Sequence, residues 1–270
     1  MLIDNKIIDL YQRQGVVLLK NILSQNWITT LKKGIKKNFD NPSKYKCVYE
    51  KSKDTELFYD DYCNWQRIFE YKDFIYNSGI ASIASQLMNS KKINLFHEHV
   101  LIKEPGAEKK TPWHQDQSYY CVEGRQNVSF WCPLDRISKD ICPEFIANSH
   151  MWTQKFLPTK FFGENYEHID TTYQKIPNIE KRRRNYNILS YELIPGDVIA
   201  FNFATVHGAP GNTSKIMRRA FSARFTGEDA RYIKRKGEMS PPFPEVKLKN
   251  GDKLDCDSFP IIPLISKQTA

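Results

Sequence analysis

The sequence predicts a mainly β fold with flanking helices, in which a barrel of strands follows a helical layer. Amphipathic helical segments are confined to the first part of the chain, whereas from residue 93 short strands alternate with turns rich in glycine, proline and asparagine. With 270 residues and 40% hydrophobic side chains, the chain can form one sizeable core. We therefore predict a single domain, 1–270, with a helical layer and first strand (1–92), a barrel core (93–230) and an extended C-terminal segment (231–270).

The composition is typical of a reduced globular protein. The net charge of +9 is spread along the chain, which indicates a solvated basic surface more than a nucleic-acid site. The 6 cysteines form no Cys-x-x-Cys pair, so we expect free thiols and no structural zinc. The start of the sequence shows no leader and no long apolar run follows. We expect a cytoplasmic protein without a membrane span, either a monomer or a homodimer.

The helical layer is predicted from side chains at helical spacing. A helix over 4–13 ends before Gly15, a short buried strand covers 16–19, and a second helix covers 24–38. Residues 40–66 are polar and irregular, and we assign them neither strands nor chemistry. An amphipathic stretch from about 68 to 88 completes a layer that covers one side of a sheet.

The barrel core is predicted from apolar runs bounded by turn residues. Strands are expected at 94–103, 126–134, 144–150, 193–203 and 217–225. We predict that the last two pair as an antiparallel hairpin, with His207 near its tip and two arginines across from it. Between the third and fourth strands lies a long, aromatic and charged segment, 152–188, which is interpreted as a lid-like insertion over the site.

A possible metal site begins with His114 and Asp116, which are separated by one residue. On an extended strand these two side chains point to the same side. His207 lies at a strand end beside a glycine-rich turn and would complete a two-histidine, one-carboxylate set, which suits non-haem Fe(II). His97 and His99 form a second spaced pair. They could be ligands in a cupin-like alternative, but inward-facing polar positions of a barrel strand are the favoured interpretation.

Arg218 extends this hypothesis to a cosubstrate. A 2-oxo acid can chelate Fe(II) through its ketone and one carboxylate, and the far carboxylate of 2-oxoglutarate then needs a counter-charge. A guanidinium offers a planar, two-pronged match. Period two places Arg218, Ala220, Ser222 and Arg224 on one face of their strand and Arg219 on the other.

The motifs in this order resemble the phytanoyl-CoA dioxygenase family over roughly residues 5–230. The resemblance is carried by Trp113-His114-Gln115-Asp116, by the turn Pro195-Gly196-Asp197, and by the stretch from His207-Gly208-Ala209-Pro210-Gly211-Asn212 to Arg218. It implies a double-stranded β-helix, the cupin-like jelly-roll barrel, and an Fe(II)/2-oxoglutarate-dependent oxygenase. It assigns His114, Asp116 and His207 to iron, Arg218 to the far 2-oxoglutarate carboxylate, and Trp131 and His99 to the cosubstrate pocket. Ala209 departs from the pattern, because some members carry a serine there.

The reaction implied by the resemblance is hydroxylation of an unactivated C–H bond in a small-molecule metabolite. It uses O2 and releases succinate and CO2. Desaturation, cyclisation or epimerisation at the same metal centre is the alternative. Gln117, Tyr119 and Arg224 are candidate contacts to a substrate that could be anionic, although an ion pair at the barrel rim is the favoured role for Arg224.

A basic binding module for RNA or protein on the same barrel is the non-enzymatic alternative. The run Lys181–Arg184 is its only support, and the sequence has no basic strand with interleaved aromatic residues. We therefore expect an enzyme whose partner is a small molecule.

Overall fold

The computed structural model describes residues 2–52, 55–159 and 172–265. The described part of the chain contains four α-helices, all before residue 94: α1 (Asn5–Gln14), α2 (Gln25–Asp40), α3 (Phe69–Asn77) and α4 (Ile80–Met88). The Asp4 side chain accepts a hydrogen bond from the Lys6 amide at the start of α1, and Gly15 ends that helix with a φ of 73°. The predicted helical layer is present.

A seven-stranded antiparallel sheet forms the larger wall of the barrel. Its strands lie in the order β1-β10-β7-β12-β4-β3-β2. Their bounds are β1 (Val16–Leu19), β2 (Cys47–Ser52), β3 (Thr55–Tyr62), β4 (Asn94–Lys103), β7 (Asn127–Pro133), β10 (Val198–Phe201) and β12 (Arg218–Thr226). The helices cover the outer face of this large sheet. Phe221, for example, packs its ring 4.7 Å from that of Tyr71 and 5.5 Å from that of Phe74.

A four-stranded sheet, in the order β5-β11-β8-β9, forms the facing wall. Its strands are β5 (Thr111–His114), β8 (Glu144–Ile146), β9 (Ile188–Leu189) and β11 (His207–Ala209). A further ribbon joins β6 (Val122–Glu123) to β13 (Arg231–Tyr232). The two antiparallel walls enclose a cavity, so the predicted jelly-roll barrel is confirmed.

Residues 40–66 are organised differently from the prediction. They contain the hairpin of β2 and β3, and β3 pairs along β4 from Phe58 opposite Lys103 to Tyr62 opposite His99. Polar side chains of these strands form hydrogen bonds with residues elsewhere in the fold. The buried Asp61 carboxylate, for example, accepts hydrogen bonds from the Asn38 side chain at 2.7 Å and the Ser43 amide at 2.8 Å.

The predicted hairpin of 193–203 with 217–225 is also wrong. β10 pairs with β1 and β7, while β12 pairs with β7 and β4, so β7 lies between the two expected partners. The chain between them crosses to the small sheet, where it forms β11. This crossover is what carries His207 to the wall opposite Arg218.

The C-terminal segment packs against the large sheet, as expected of an extended covering segment. The Asn94 side chain donates to the carbonyl oxygens of Leu254 and Phe259, and the Ile262 amide donates to Ile93. Phe259 stacks on Phe96 with ring centroids 5.4 Å apart. In the part of the chain that the structure describes, no helix is both long and apolar enough to cross a membrane.

The described ends of the segment 152–188 lie against the small sheet. Phe156 and Gln174 form a β-bridge, and Trp113 donates its indole N–H to Glu180 at 2.7 Å. Arg183 donates to Glu144 on β8, which neutralises part of the basic run. The central part, 160–171, lies outside the described residues.

Candidate active site

Three side chains of the small-sheet wall converge on one point. His114 at the end of β5 is the direct cross-strand partner of His207 on β11, and Asp116 follows in the next turn. His114, Asp116 and His207 each offer one ligand atom, and these atoms all lie within 4.8 Å of one another. All three side chains are buried. The set matches the two-histidine, one-carboxylate arrangement typical of non-haem Fe(II).

Both histidines are oriented by the backbone. The Nδ1 atom of His114 lies 2.7 Å from the Pro112 carbonyl oxygen, and that of His207 lies 2.9 Å from the Thr205 carbonyl oxygen. A carbonyl can only accept, so each Nδ1 carries the proton and each Nε2 presents its lone pair. This tautomer is the one that a divalent metal requires, so the residues fit an iron ion.

The protonation states agree with this arrangement. Burial, with a contribution from His114, lowers the pKa of His207 to about 3, so its ring is neutral at neutral pH. Burial by itself raises the pKa of Asp116. The Arg224 guanidinium and the neighbouring histidines outweigh that effect and hold the pKa well below its usual range. At neutral pH the site therefore presents a neutral His207 imidazole beside an ionised Asp116 carboxylate.

Gly208 allows β5 and β11, the strands that carry His114 and His207, to approach closely. A Cβ at this position would lie 3.1 Å from the Thr111 carbonyl oxygen and 3.3 Å from the Trp113 ring. A larger residue would push β11 away from β5 and move His207 with it.

The large sheet presents a cationic and polar wall to the same cavity of about 440 Å³. Arg218, Ala220, Ser222 and Arg224 all line it, as the period of two predicts, and the Arg219 side chain instead pairs with Asp135. Trp131 on β7 lines the cavity as the cross-strand neighbour of Ser222. The predicted face of β12 is therefore the cavity face.

Arg218 lies at the start of β12, directly opposite Lys103 on β4. Its side chain is buried, and burial lowers its pKa to about 10, so it stays charged at neutral pH. It donates to the Ile141 carbonyl oxygen. Among the residues that the structure describes, no carboxylate lies within ion-pair distance of this guanidinium. A buried cation without a counter-charge is suited to an anionic ligand.

His97 and His99 lie on β4, on the wall facing the metal-ligand set, and neither belongs to that set. The Nε2 atom of His99 lies 3.1 Å from Asp60, which also accepts a hydrogen bond from the Tyr49 hydroxyl at 2.9 Å. Burial lowers the pKa of His97 well below its usual value. Their inward direction agrees with the predicted polar barrel positions.

The three candidate substrate contacts have different surroundings. Tyr119 lines the cavity, and its hydroxyl donates to the Thr159 carbonyl at 2.6 Å. Arg224 is buried beside Asp116, with Nε 3.4 Å from Oδ2, and so does not lie at the barrel rim. Gln117 is half-buried and does not line the cavity. Its amide donates to the Phe203 carbonyl and its own carbonyl accepts from Arg235.

Residues from the unpredicted hairpin complete the cavity. Tyr49, Phe58, Asp60 and Tyr62 line it from β2 and β3, and Ser240 and Pro241 line it from the C-terminal segment. The alternation Phe58, Asp60, Tyr62 was the available signal, since these residues share one face of a strand.

Comparisons with known proteins agree with this architecture. Residues 11–220 match the family model described as phytanoyl-CoA dioxygenase (PhyH). A phytanoyl-CoA dioxygenase from Arabidopsis thaliana is 27% identical over 161 residues, which are 59% of this chain and 53% of that protein. The chain thus matches about half the length of this curated relative.

Solved structures are similar over most of the chain. The non-haem α-ketoglutarate-dependent carbocyclase SnoK from nogalamycin biosynthesis superposes with a TM-score of 0.75 at 18% identity, covering 97% of each chain. The epimerase SnoN, in complex with Fe3+, α-ketoglutarate and nogalamycin RO, gives 0.74 at 19% identity, covering 95% of this chain and 97% of that one. EctD from S. alaskensis, with 2-oxoglutarate and 5-hydroxyectoine, gives 0.68 at 16%, covering 93% and 85%. These structures share the fold, and the family model shows that the chain belongs to the phytanoyl-CoA dioxygenase family.

Proposed function

We propose that the protein is an Fe(II)- and 2-oxoglutarate-dependent dioxygenase that hydroxylates an unactivated C–H bond of a small molecule. One observation carries the proposal. Two backbone-oriented histidines and a buried carboxylate face, across one cavity, a buried arginine that has no carboxylate partner among the described residues. This pairing provides for a metal ion and for the far charge of a chelating diacid in the same space.

The Fe(II) ion would be held by the Nε2 atoms of His114 and His207 and by the Asp116 carboxylate. When bound, iron, 2-oxoglutarate and O2 would supply the oxidising chemistry, and 2-oxoglutarate would be converted to succinate and CO2. The protein's share is to orient these ligands and to exclude water. Burial of all three side chains serves that exclusion.

Arg218 would pair with the far carboxylate of 2-oxoglutarate. The buried position of its guanidinium strengthens the pair, because little water competes for the carboxylate. Trp131 and His99 line the same cavity as Arg218 and the triad of His114, Asp116 and His207, and we assign them to the cosubstrate pocket. The His99–Asp60 contact limits the directions in which this imidazole can point.

The substrate would enter beneath the segment 152–188, which we propose as a lid. Tyr119, at the cavity wall, bonds to Thr159 in the described part of this segment, which supports the idea that the segment adjoins the site. The exposed Lys44 and Lys46 at the cavity mouth favour an anionic substrate. The six free cysteines suit a reducing, cytoplasmic setting, and the barrel could act as a monomer or a homodimer.

A second outcome at the same centre is cyclisation or epimerisation. Its support is that two proteins with this fold are named as a carbocyclase and an epimerase. Mass analysis of the product separates the outcomes, because hydroxylation adds one oxygen atom whereas cyclisation by loss of two hydrogens and epimerisation do not.

The proposal is tested by anaerobic addition of Fe(II) and 2-oxoglutarate. We expect the weak visible charge-transfer band of the chelate in the wild-type protein and its absence in His207→Ala. A metabolite panel scored by succinate release then identifies the substrate class. Absence of the band, together with unchanged metal affinity in His207→Ala, would rule out the oxygenase.

A further inference from the structure

We infer that Arg224 is a positioning residue. It holds Oδ2 of Asp116 in an ion pair, so that Oδ1 is the oxygen left for the metal. The inference rests on the proposed function and gives Arg224 a role other than contact with the substrate. It assigns a one-oxygen ligand mode to Asp116 and an electrostatic role to a second cavity arginine.

The two carboxylate oxygens face different partners. Oδ1 lies 3.4 Å from Nε2 of His114 and 3.8 Å from Nε2 of His207, so it is the oxygen that faces the imidazole ligand atoms. Oδ2 lies 3.4 Å from Nε of Arg224. The side chains of Arg224 and Asp116 are both only 6% exposed, so water screens this contact weakly.

The register of β12 orients Arg224 towards Oδ2 of Asp116. Its register with β4 shifts between Arg224 and Phe225, and such an irregularity changes the direction of the side chain beside it. The guanidinium carbon lies 5.8 Å from the centre of the Tyr120 ring. Among the described residues, Asp116 is the one carboxylate in ion-pair contact with Arg224. No other carboxylate in that part of the chain pairs with the Arg224 charge.

The geometric consequence concerns the open coordination positions. A carboxylate that binds through both oxygens would occupy a further position, which the cosubstrate and O2 need. An Oδ2 engaged by Arg224 is not available for that mode.

The positive charge of Arg224 has opposite effects on the binding of the metal and of the cosubstrate. A cation beside the centre repels a divalent metal and attracts the dianionic cosubstrate. Arg224 therefore lowers the affinity of the triad for the metal, and it raises the affinity of the metal-bound site for 2-oxoglutarate.

The test uses Co(II), bound anaerobically to the metal-free full-length protein and followed by its visible absorption, and then 2-oxoglutarate added to the Co(II) form. In Arg224→Met we expect Co(II) to bind up to about tenfold more tightly and 2-oxoglutarate to bind about tenfold more weakly. The Co(II) band should also change shape, because Oδ2 can now join the metal. Arg224→Lys keeps the charge and should stay near the wild type in both affinities. Arg219→Met, on the same strand but facing outward, should change neither.

Three results would overturn the inference. In the first, both affinities fall in parallel in Arg224→Met and Arg224→Lys, together with a lower melting temperature, which would show a purely structural residue. In the second, both affinities and the band are unchanged in Arg224→Met. In the third, Co(II) binds more weakly while 2-oxoglutarate binding is unaffected. Failure of the wild-type protein to bind Co(II) would instead refute the proposed function, and so the two failures are distinguishable.

Discussion

The two walls of the barrel differ in how they place functional side chains. On the small sheet, His114 and His207 each bond to a carbonyl two residues earlier in the chain, so their orientation is a local property. On the large sheet, Arg218 and Arg224 are placed by strand register, which is a property of the whole topology. Because of this difference, we expect that the proposed ion site and the proposed cosubstrate site can be altered separately. Substitutions of the triad on the first wall should abolish metal binding, whereas substitutions on the second wall should leave the metal bound.

The largest expected effect tests this separation with one histidine from each wall. His114→Ala should weaken Fe(II) binding by at least about 100-fold, because it removes a direct ligand. His97→Ala, on β4, should keep Fe(II) binding within a few-fold. Anaerobic metal titration measures both variants. An equal loss of Fe(II) affinity in the two variants would show that the walls are not separable and that β4 also supplies a metal ligand.

The next effect concerns the cosubstrate alone. Arg218→Met should weaken 2-oxoglutarate binding by about 100-fold, since a buried charge-assisted pair is lost, and should leave Co(II) affinity unchanged. Titration of the visible charge-transfer band gives the first value and Co(II) absorption the second. Parallel losses of both ligands would mean that the β12 face is wrongly assigned.

A third effect, on stability and not on ligand binding, separates the two faces of β4. Glu98 lies between His97 and His99 in sequence but is buried on the helix side, and burial raises its pKa to about 8, although the Asn64 amide partly opposes the shift. In the unfolded chain a glutamate ionises near pH ~4.3. The stability that comes from a neutral Glu98 is therefore complete below that pH and is lost as the pH rises towards 8.

Glu98→Gln should remove this pH dependence, so that the free energy of unfolding of the variant falls less between pH 5 and 8.5 than that of the wild type, by up to about 4 kcal/mol. Urea denaturation at the two pH values measures the difference. Affinity for 2-oxoglutarate should not change, because the carboxyl does not line the cavity. A steeper fall in the variant would show that Glu98 is ionised in the folded protein.

The smallest effect lies where the segment 152–188 meets the small sheet. Tyr119→Phe removes the hydroxyl that bonds to Thr159 and should lower the free energy of unfolding by about 1 kcal/mol. Metal and 2-oxoglutarate affinities should match those of the wild type, and calorimetry and titration provide the values. Loss of metal binding would place Tyr119 among the residues that orient His114.

The difference between the walls also explains what could be predicted from the sequence. The spacing of His114 and Asp116, the glycine after His207 and the period of two on β12 are local patterns, and each residue lies where its pattern places it. The pairing of β10 and β12 was predicted wrongly because consecutive strands of a jelly roll need not be neighbours, and β7 separates them.

The hairpin of β2 and β3 was missed for a different reason. Its Asp60 and Asp61 are poor strand formers in isolation, and they are accommodated by Tyr49, Ser43 and Asn38. Such compensation comes from residues on other elements, which a local pattern does not reveal. The missed strands line the cavity, so this part of the cavity wall was missed with them.

The carbonyl bonds of His114 and His207 have a consequence for metal selection. Two imidazoles that are already oriented offer their lone pairs to any divalent ion of suitable size, and affinity for such ligand sets rises along the transition series from Mn(II) to Cu(II). Rigid presentation therefore does not favour iron over cobalt, nickel or zinc. The protein isolated from a cell should carry whichever of these ions was most available, and its activity should depend on removing them before Fe(II) is added.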